Sequence, residues 1–186
     1  MPLKPWKRMT SSRDRTFPIF TLRTDRARSP RTNQAYDFYI LESADWVNII
    51  PITPKREVIL IRQYRHGIQD MALEIPGGII EPDDSPREAA LRELAEETGY
   101  SASQISALDH VWPNPAFLDN RCYTFLARDA ALTGDQKPDE KEDIEVILVP
   151  LERIPDMIRH GEIRHSLVVA AFYKFHLEYG LGAFER

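Results

Sequence analysis

The stretch GGIIEPDDSPREAALRELAEETGY, residues 77–100, decides how the rest of the chain is read. It is a glycine turn followed by a short helix with both ends marked. Ser85 can cap the N-terminus, Pro86 suits the first helical position, and Glu88 completes a capping box with Ser85. Gly99 stands where a left-handed stop is expected. At about 100° per residue, Ala90, Leu91, Leu94, Ala95 and Thr98 form a mostly apolar arc that can lie on a sheet. Beside that arc Glu93 and Glu97 stand one turn apart, with Glu96 next to them and Ala89 below.

Like charges at this spacing repel by roughly a few tenths of a kcal/mol in an isolated helix. Three carboxylates crowded beside small side chains therefore point to a cation between them. Hard oxygen ligands in an incomplete cage suit Mg²⁺ or Mn²⁺, which keep waters and recruit phosphate oxygens. A solvated acidic face is the commoner use of a Glu-rich helix. Here the glycine pair, the capped helix and the clustered acids coincide, which favours the ion.

The same stretch resembles the Nudix box: Gly, five residues, Glu, seven residues, then Arg-Glu-apolar-x-Glu-Glu-x-Gly-apolar. Gly78 fills the first position, and Arg92, Glu93, Leu94, Glu96, Glu97 and Gly99 fill the second block in register. Asp84 replaces the first Glu, keeping a carboxylate of shorter reach for Arg92, and Tyr100 replaces the usual aliphatic residue. The resemblance implies a metal shell of Glu93, Glu96, Glu97 and the Gly77 carbonyl, with Glu97 catalytic. Gly78, Asp84, Arg92 and Gly99 then support the box.

Composition bounds the remainder. The 186 residues suit one domain with a sizeable core plus a terminal extension. A net charge of −5 gives no overall attraction to nucleic acid or anionic membrane. The single cysteine, Cys122, fits a reducing compartment and is no evident nucleophile. No apolar run reaches bilayer length and the start lacks a signal-like segment, so the expected location is cytoplasmic.

In chain order, residues 1–16 are basic and predict a loosely held arm. Residues 17–45 predict two strands, Phe17–Arg23 and Ala35–Leu41, around a turn at 29–33. In the ADP-ribose pyrophosphatase branch that this arrangement resembles, such strands exchange contacts in a homodimer and help wall the nucleoside pocket. That implies substrate-binding roles for Tyr39 and Trp46. Residues 46–186 predict the catalytic domain. Its strands are Trp46–Ile52, Glu57–Arg65, Ile105–Val111, Arg121–Ala127 and Ile144–Val149, and Ala72–Pro76 leads into the glycine pair. Glu57–Arg65 is apolar enough at its centre to be covered on both faces. Helices follow at Leu151–Arg159 and Ser166–Tyr179. Strands alternating with three helices predict an α/β (α+β) fold, an α/β/α sandwich about a mixed sheet.

Arg65, at a strand exit, suits either a solvated edge or a bidentate pair with an oxyanion. The resemblance implies the second. Pro115 lies sixteen positions beyond Gly99, as in ADP-ribose hydrolases of the family, although Asn120 stands where they often carry an acid. The acidic segment 133–146 resembles the loop that supplies a catalytic Glu. It implies Glu140 as base and Glu142 as metal-side carboxylate, with the roles exchangeable.

These readings converge on Mg²⁺- or Mn²⁺-dependent cleavage of a nucleoside diphosphate joined to another group, ADP-ribose or a nucleotide sugar, releasing a nucleoside monophosphate and a sugar phosphate. Another nucleoside diphosphate derivative such as a dinucleotide, or a non-catalytic nucleotide-sugar sensor, are the alternatives. An oligonucleotide role lacks a basic, aromatic-studded face.

Overall fold

In the computed structural model, residues 2–180 and Gly182 are described. Met1, Leu181 and residues 183–186, the outermost of the expected arm and domain, lie outside the described residues. The chain forms two compact units, Met1–Asp45 with Trp112–Arg121, and Trp46–Val111 with Cys122–Arg186.

The first unit is a three-stranded antiparallel sheet of β1 (Lys7–Thr16), β2 (Thr21–Arg28) and β3 (Ala35–Glu42), in that order. Two expectations need correction here. Lys7–Thr16 is an edge strand rather than a loose arm, although all ten of its residues are exposed. Phe17–Phe20 is a turn closed by the Phe17 amide donating to the Phe20 carbonyl at 2.8 Å, so β2 starts only at Thr21. β1 carries no apolar alternation, and polar cross-strand pairs support it instead. Arg8 reaches Asp25 at 3.6 Å, the Ser11 hydroxyl donates to Asp25 Oδ1 at 2.5 Å, and Arg13 reaches Glu42 at 2.7 Å. Trp6 packs edge-on against Tyr36 and Phe38.

The second unit is built on a mixed sheet. Its spine runs β12 (Ile144–Pro150), β5 (Glu57–Arg65), β4 (Trp46–Ile52), β10 (Cys122–Arg128), β9 (Gln104–Val111), with β6 (Asp70–Glu74) on β5 and β7 (Gly77–Ile79) on β4. Among its described strands only β4 and β10 run parallel. A small ribbon pairs β8 (Tyr100–Ser101) with β11 (Ala131–Leu132). Val58, Ile59, Leu60 and Ile61 are all fully buried, as a doubly covered strand requires.

Alternation along β4 and β10 divides the core. Val47, Ile49, Phe125 and Ala127 meet α1 (Pro86–Thr98) through Ala89, Ala90 and Leu94. Ile50 and Leu126 face the other way, onto α2 (Ile154–Arg159), which follows a 3₁₀ turn at Leu151–Arg153, and α3 (Ser166–Tyr179). Ile154, Met157, Val168, Phe172 and Phe175 fill that layer. The result is the sandwich the element order implies. Among the described residues, no helix is long and apolar enough to cross a membrane.

The glycine pair plays a different part from the one its composition indicates. Gly77 and Gly78 lie in β7 and pair with Asn48 and Val47 of β4, where a sharp turn was expected. A Cβ on Gly77 would overlap the Val47 carbonyl oxygen, whereas on Gly78 it would overlap the Glu93 carboxylate. Close approach is the requirement at both positions. A backbone obstacle cannot swing aside, but a side-chain terminus can. Gly77→Ala should lower unfolding stability by about 1–3 kcal/mol in urea titration, and Gly78→Ala by about 1 kcal/mol or less. Equal losses would contradict this packing.

Candidate active site

The helix caps set the phase of the acids. The Ser85 hydroxyl accepts from the Glu88 amide at 3.3 Å, and Glu88 Oε2 accepts from the Ser85 amide at 2.9 Å. Gly99 closes the helix with φ 75°, donating its amide to the Ala95 carbonyl. Between these stops the buried face comprises Ala89, Ala90, Leu94, Glu97 and Thr98. The apolar arc read from periodicity is thus rotated toward the acids, and Ala95 is exposed. Small side chains at 89 and 90 let the helix close on the sheet and carry Glu97 inside.

Glu97 is 2% exposed, and its Oε2 accepts from the Gly77 amide at 2.9 Å. Burial pushes its carboxyl up to about 8; the charges of Glu93 and Glu142 add to the rise, while the Gly77 amide and Arg65 oppose it. Glu93 lies against Gly78 and is raised to about 7, again mainly by burial, with Arg92 opposing and Glu96 and Glu142 assisting.

Arg92 ties the outer acids together. Its Nε donates to Asp84 Oδ2 at 3.0 Å, its Nη1 to Glu93 Oε1 and Glu96 Oε2 at 3.0 Å each, and its Nη2 to the Ile79 carbonyl at 3.2 Å. Asp84, despite its shorter reach, therefore meets Arg92. Arg65 forms a bidentate pair with Glu74, Nε to Oε1 at 2.7 Å and Nη2 to Oε2 at 2.9 Å, and its charge also acts on Glu97 and Glu142. Glu142 accepts from the Asp139 amide at 3.2 Å. Glu140 is exposed and makes no side-chain hydrogen bond among the described residues.

The structure thus gathers Glu93, Glu96, Glu97, Glu142, Arg65, Arg92, Gly77 and Gly78 in one unit. Trp46 opens β4 in the same unit, half-buried and paired with Ile79 and Cys122. Tyr39, exposed on β3, and Pro115, in the loop 112–121, belong to the other unit. Two contributors escape the sequence reading. Glu74 is 4% exposed and fixes Arg65; its one sequence signal is an acid inside the otherwise apolar run Met-Ala-Leu-Glu-Ile. Gln136 donates to the Glu97 carbonyl at 2.6 Å and to the Ile144 carbonyl at 3.4 Å, pinching the root of the 137–143 loop.

The residues present fit a hard divalent cation by chemistry. All donors are oxygen, and two neighbouring carboxylates, the buried Glu97 and the partly buried Glu93, are strained toward their neutral forms, a strain that a cation relieves. Among the described residues no three ligand side chains are gathered about one point, because Arg92 lies between Glu93 and Glu96.

A family model described as NUDIX domain matches residues 43–171. The chain is 30% identical over 138 residues to the ADP-ribose pyrophosphatase of Bacillus subtilis, covering 74% of this chain and 75% of that protein. It is 34% identical over 152 residues to the ADP-sugar pyrophosphatase of Mus musculus, covering 73% and 67%. The solved structure of an ADP compounds hydrolase superposes with a TM-score of 0.82 over 95% of each chain at 23% identity, a likeness of fold.

The two raised carboxyls make stability depend on pH. Below the ordinary value of 4.5 they are neutral folded or unfolded; between 4.5 and about 8 the folded form holds more protons. Stability of the metal-free protein should therefore fall as pH rises across that window. In EDTA the urea midpoint should be lower at pH 8.5 than at pH 5.5, and Mg²⁺ should raise it more at the higher pH. Glu97→Gln should flatten both trends; a midpoint that rises with pH in EDTA would contradict the buried-acid account.

Proposed function

Because this chain belongs to the Nudix hydrolase family, we propose that it hydrolyses the diphosphate bond of a nucleoside diphosphate linked to a second group, with ADP-ribose or a nucleotide sugar as substrate. The observation that carries this reading is the buried Glu97, set beside Glu93 on a capped helix and facing the Gly77–Gly78 strand. The names of the relatives from Bacillus subtilis and Mus musculus support the substrate class.

Glu93, Glu96, Glu97 and the Gly77 carbonyl would hold Mg²⁺ or Mn²⁺. When bound, such an ion neutralises diphosphate charge and lowers the pKa of a coordinated water. Glu142, whose charge already acts on Glu93 and Glu97, or Glu140 beside it on the same loop, takes a proton from the attacking water. Arg65 presents its remaining N–H groups to a phosphate oxygen. Asp84 and Arg92 keep the outer acids from splaying, and Gly99 stops the helix at the right length. Tyr39, Trp46 and Pro115 are proposed as substrate-selecting side chains on the family resemblance. A cytoplasmic location is proposed on the lone, buried Cys122.

A homodimer is proposed as well, supported by the part-exposed aromatic rings of β3, Tyr36 and Phe38 on one face and Tyr39 on the other. Sedimentation equilibrium should return twice the chain mass; a monomer at tens of micromolar would remove this part. A non-catalytic sensor is disfavoured because Glu93, Glu96 and Glu97 are all retained.

Activity tests the central reading. Wild-type protein with Mg²⁺ should release phosphate monoesters from ADP-ribose or a nucleotide sugar in a panel that includes dinucleotides. Glu97→Gln keeps an acceptor for the Gly77 amide, so it should fold normally and lose about 10²-fold or more in kcat. Normal turnover by that variant would overturn the assignment. Glu142→Gln and Glu140→Gln should lower kcat more than they raise KM, and unchanged pH–rate profiles in both would remove the loop base.

A further inference from the structure

Glu74 is a charged group placed where burial is costly. It ends β6 at 4% exposure, and its nearest cationic partner, Arg65, belongs to the neighbouring strand. Across the β5–β6 ladder Arg65 pairs with Asp70, while Glu74 pairs with Ile61. The Arg65 side chain therefore runs back along the strand to reach the carboxylate while staying partly open to solvent. Both Glu74 oxygens are engaged by the guanidinium, at 2.7 and 2.9 Å. His165, just ahead of α3, flanks the same carboxylate with its Nε2 3.8 Å from Oε2, while its buried Nδ1 has no hydrogen-bond partner among the described residues. An ion pair whose carboxylate is buried while its guanidinium stays partly exposed adds little net stability, so its presence calls for another reason.

The reason lies in what the pair leaves unused. A guanidinium has five N–H donors in a rigid plane, and Glu74 takes one on Nε and one on Nη2. The Nη1 edge is left, in a fixed orientation, within the field of Glu97 and Glu142. We infer that Glu74 is a positioning residue: its buried carboxylate locks the Arg65 fork so that the unused edge presents to the diphosphate oxygens of the substrate. Glu74 itself touches no reacting atom. The inference rests on the hydrolase reading above and adds to it the residue that aims the anion contact.

A positioning role has a kinetic signature. If Arg65 grips the diphosphate equally in ground and transition states, loosening it raises KM and spares kcat. Glu74→Gln should raise KM for ADP-ribose about tenfold or more, as loss of a charge-assisted bond would, with kcat changed less. Arg65→Lys, which keeps the charge and loses the fork, should do the same. The double variant Glu74→Gln/Arg65→Lys should be no worse than Arg65→Lys alone, because the two act as one unit. Glu74→Asp should lie between wild type and Glu74→Gln, and it supplies the readout if Glu74→Gln does not fold.

A merely structural Glu74 would instead lower the melting temperature and the active fraction, leaving KM unchanged. A wild-type KM in either Glu74 variant, or single-variant effects that multiply in the double, would overturn the inference. Calorimetric binding of ADP in Mg²⁺ separates this failure from that of the hydrolase reading. If wild type cleaves no member of the substrate panel, that reading falls, and Glu74 is then judged by ADP affinity alone. Affinity must drop in Glu74→Gln and Arg65→Lys alike; an unchanged affinity, or no ADP binding by wild type, ends the proposal.

Discussion

A carboxylate sealed between a helix and a sheet is the constraint on which the second unit depends. Glu97 is buried on the face by which α1 packs, among Ala89, Ala90, Leu94 and Thr98, and the Gly77 amide donates to it. Several apparently separate features follow from keeping it there. The helix must come close, which the two alanines allow. The strand beneath must come close too, and at Gly77 any side chain would meet the Val47 carbonyl. The phase must also be right, since a shift of one residue turns a helical side chain by about 100°. Ser85 and Gly99 specify where the turns begin and end, so the caps decide orientation as well as stability.

Electrostatics give that burial its meaning. Around the site stand the carboxylates of Glu74, Asp84, Glu93, Glu96, Glu97 and Glu142 against the guanidiniums of Arg65 and Arg92. The two arginines are already committed, Arg65 to Glu74 and Arg92 to Asp84, Glu93, Glu96 and the Ile79 carbonyl. The imbalance therefore falls on Glu93 and Glu97, the carboxyls driven toward neutrality. A fold selected only for stability would exchange such acids for apolar residues of similar size. Retaining them makes sense where a multivalent cation and an anionic substrate complete the charge.

Much of this was legible from residue order alone. The capping box, the left-handed stop, the doubly covered strand around Ile59 and Leu60 and the helix Ser166–Tyr179 rest on local rules and stand where those rules put them, while the expected helix Leu151–Arg159 begins as a 3₁₀ turn over its first three residues. The misreadings have one origin, tertiary context. β1 has no alternation to read because none of its residues is buried; its order comes from pairing with β2. The arc of α1 rotates because a polar group with a buried donor can occupy an inward position that hydropathy awards to Ala95. Glu74 was invisible as a participant because its partner lies nine positions away in sequence and across a ladder.

The acidic loop brings these strands of reasoning together. At the end of α1 the backbone carbonyls lack helical partners. Those of Glu96, Glu97 and Gly99 are taken by the segment that follows β11: the Lys137 amide, the Gln136 side chain, and the amides of Thr133 and Gly134. The segment that leads to Glu140 and Glu142 is therefore rooted on the very turn that carries Glu96 and Glu97, and Gln136 ties its far end at Ile144 to the same point. A carboxylate serving as the proposed loop base needs accuracy at its root and freedom at its tip. Anchoring the loop to the end of α1 supplies the first over a few bonds, and leaving residues 138–143 exposed supplies the second.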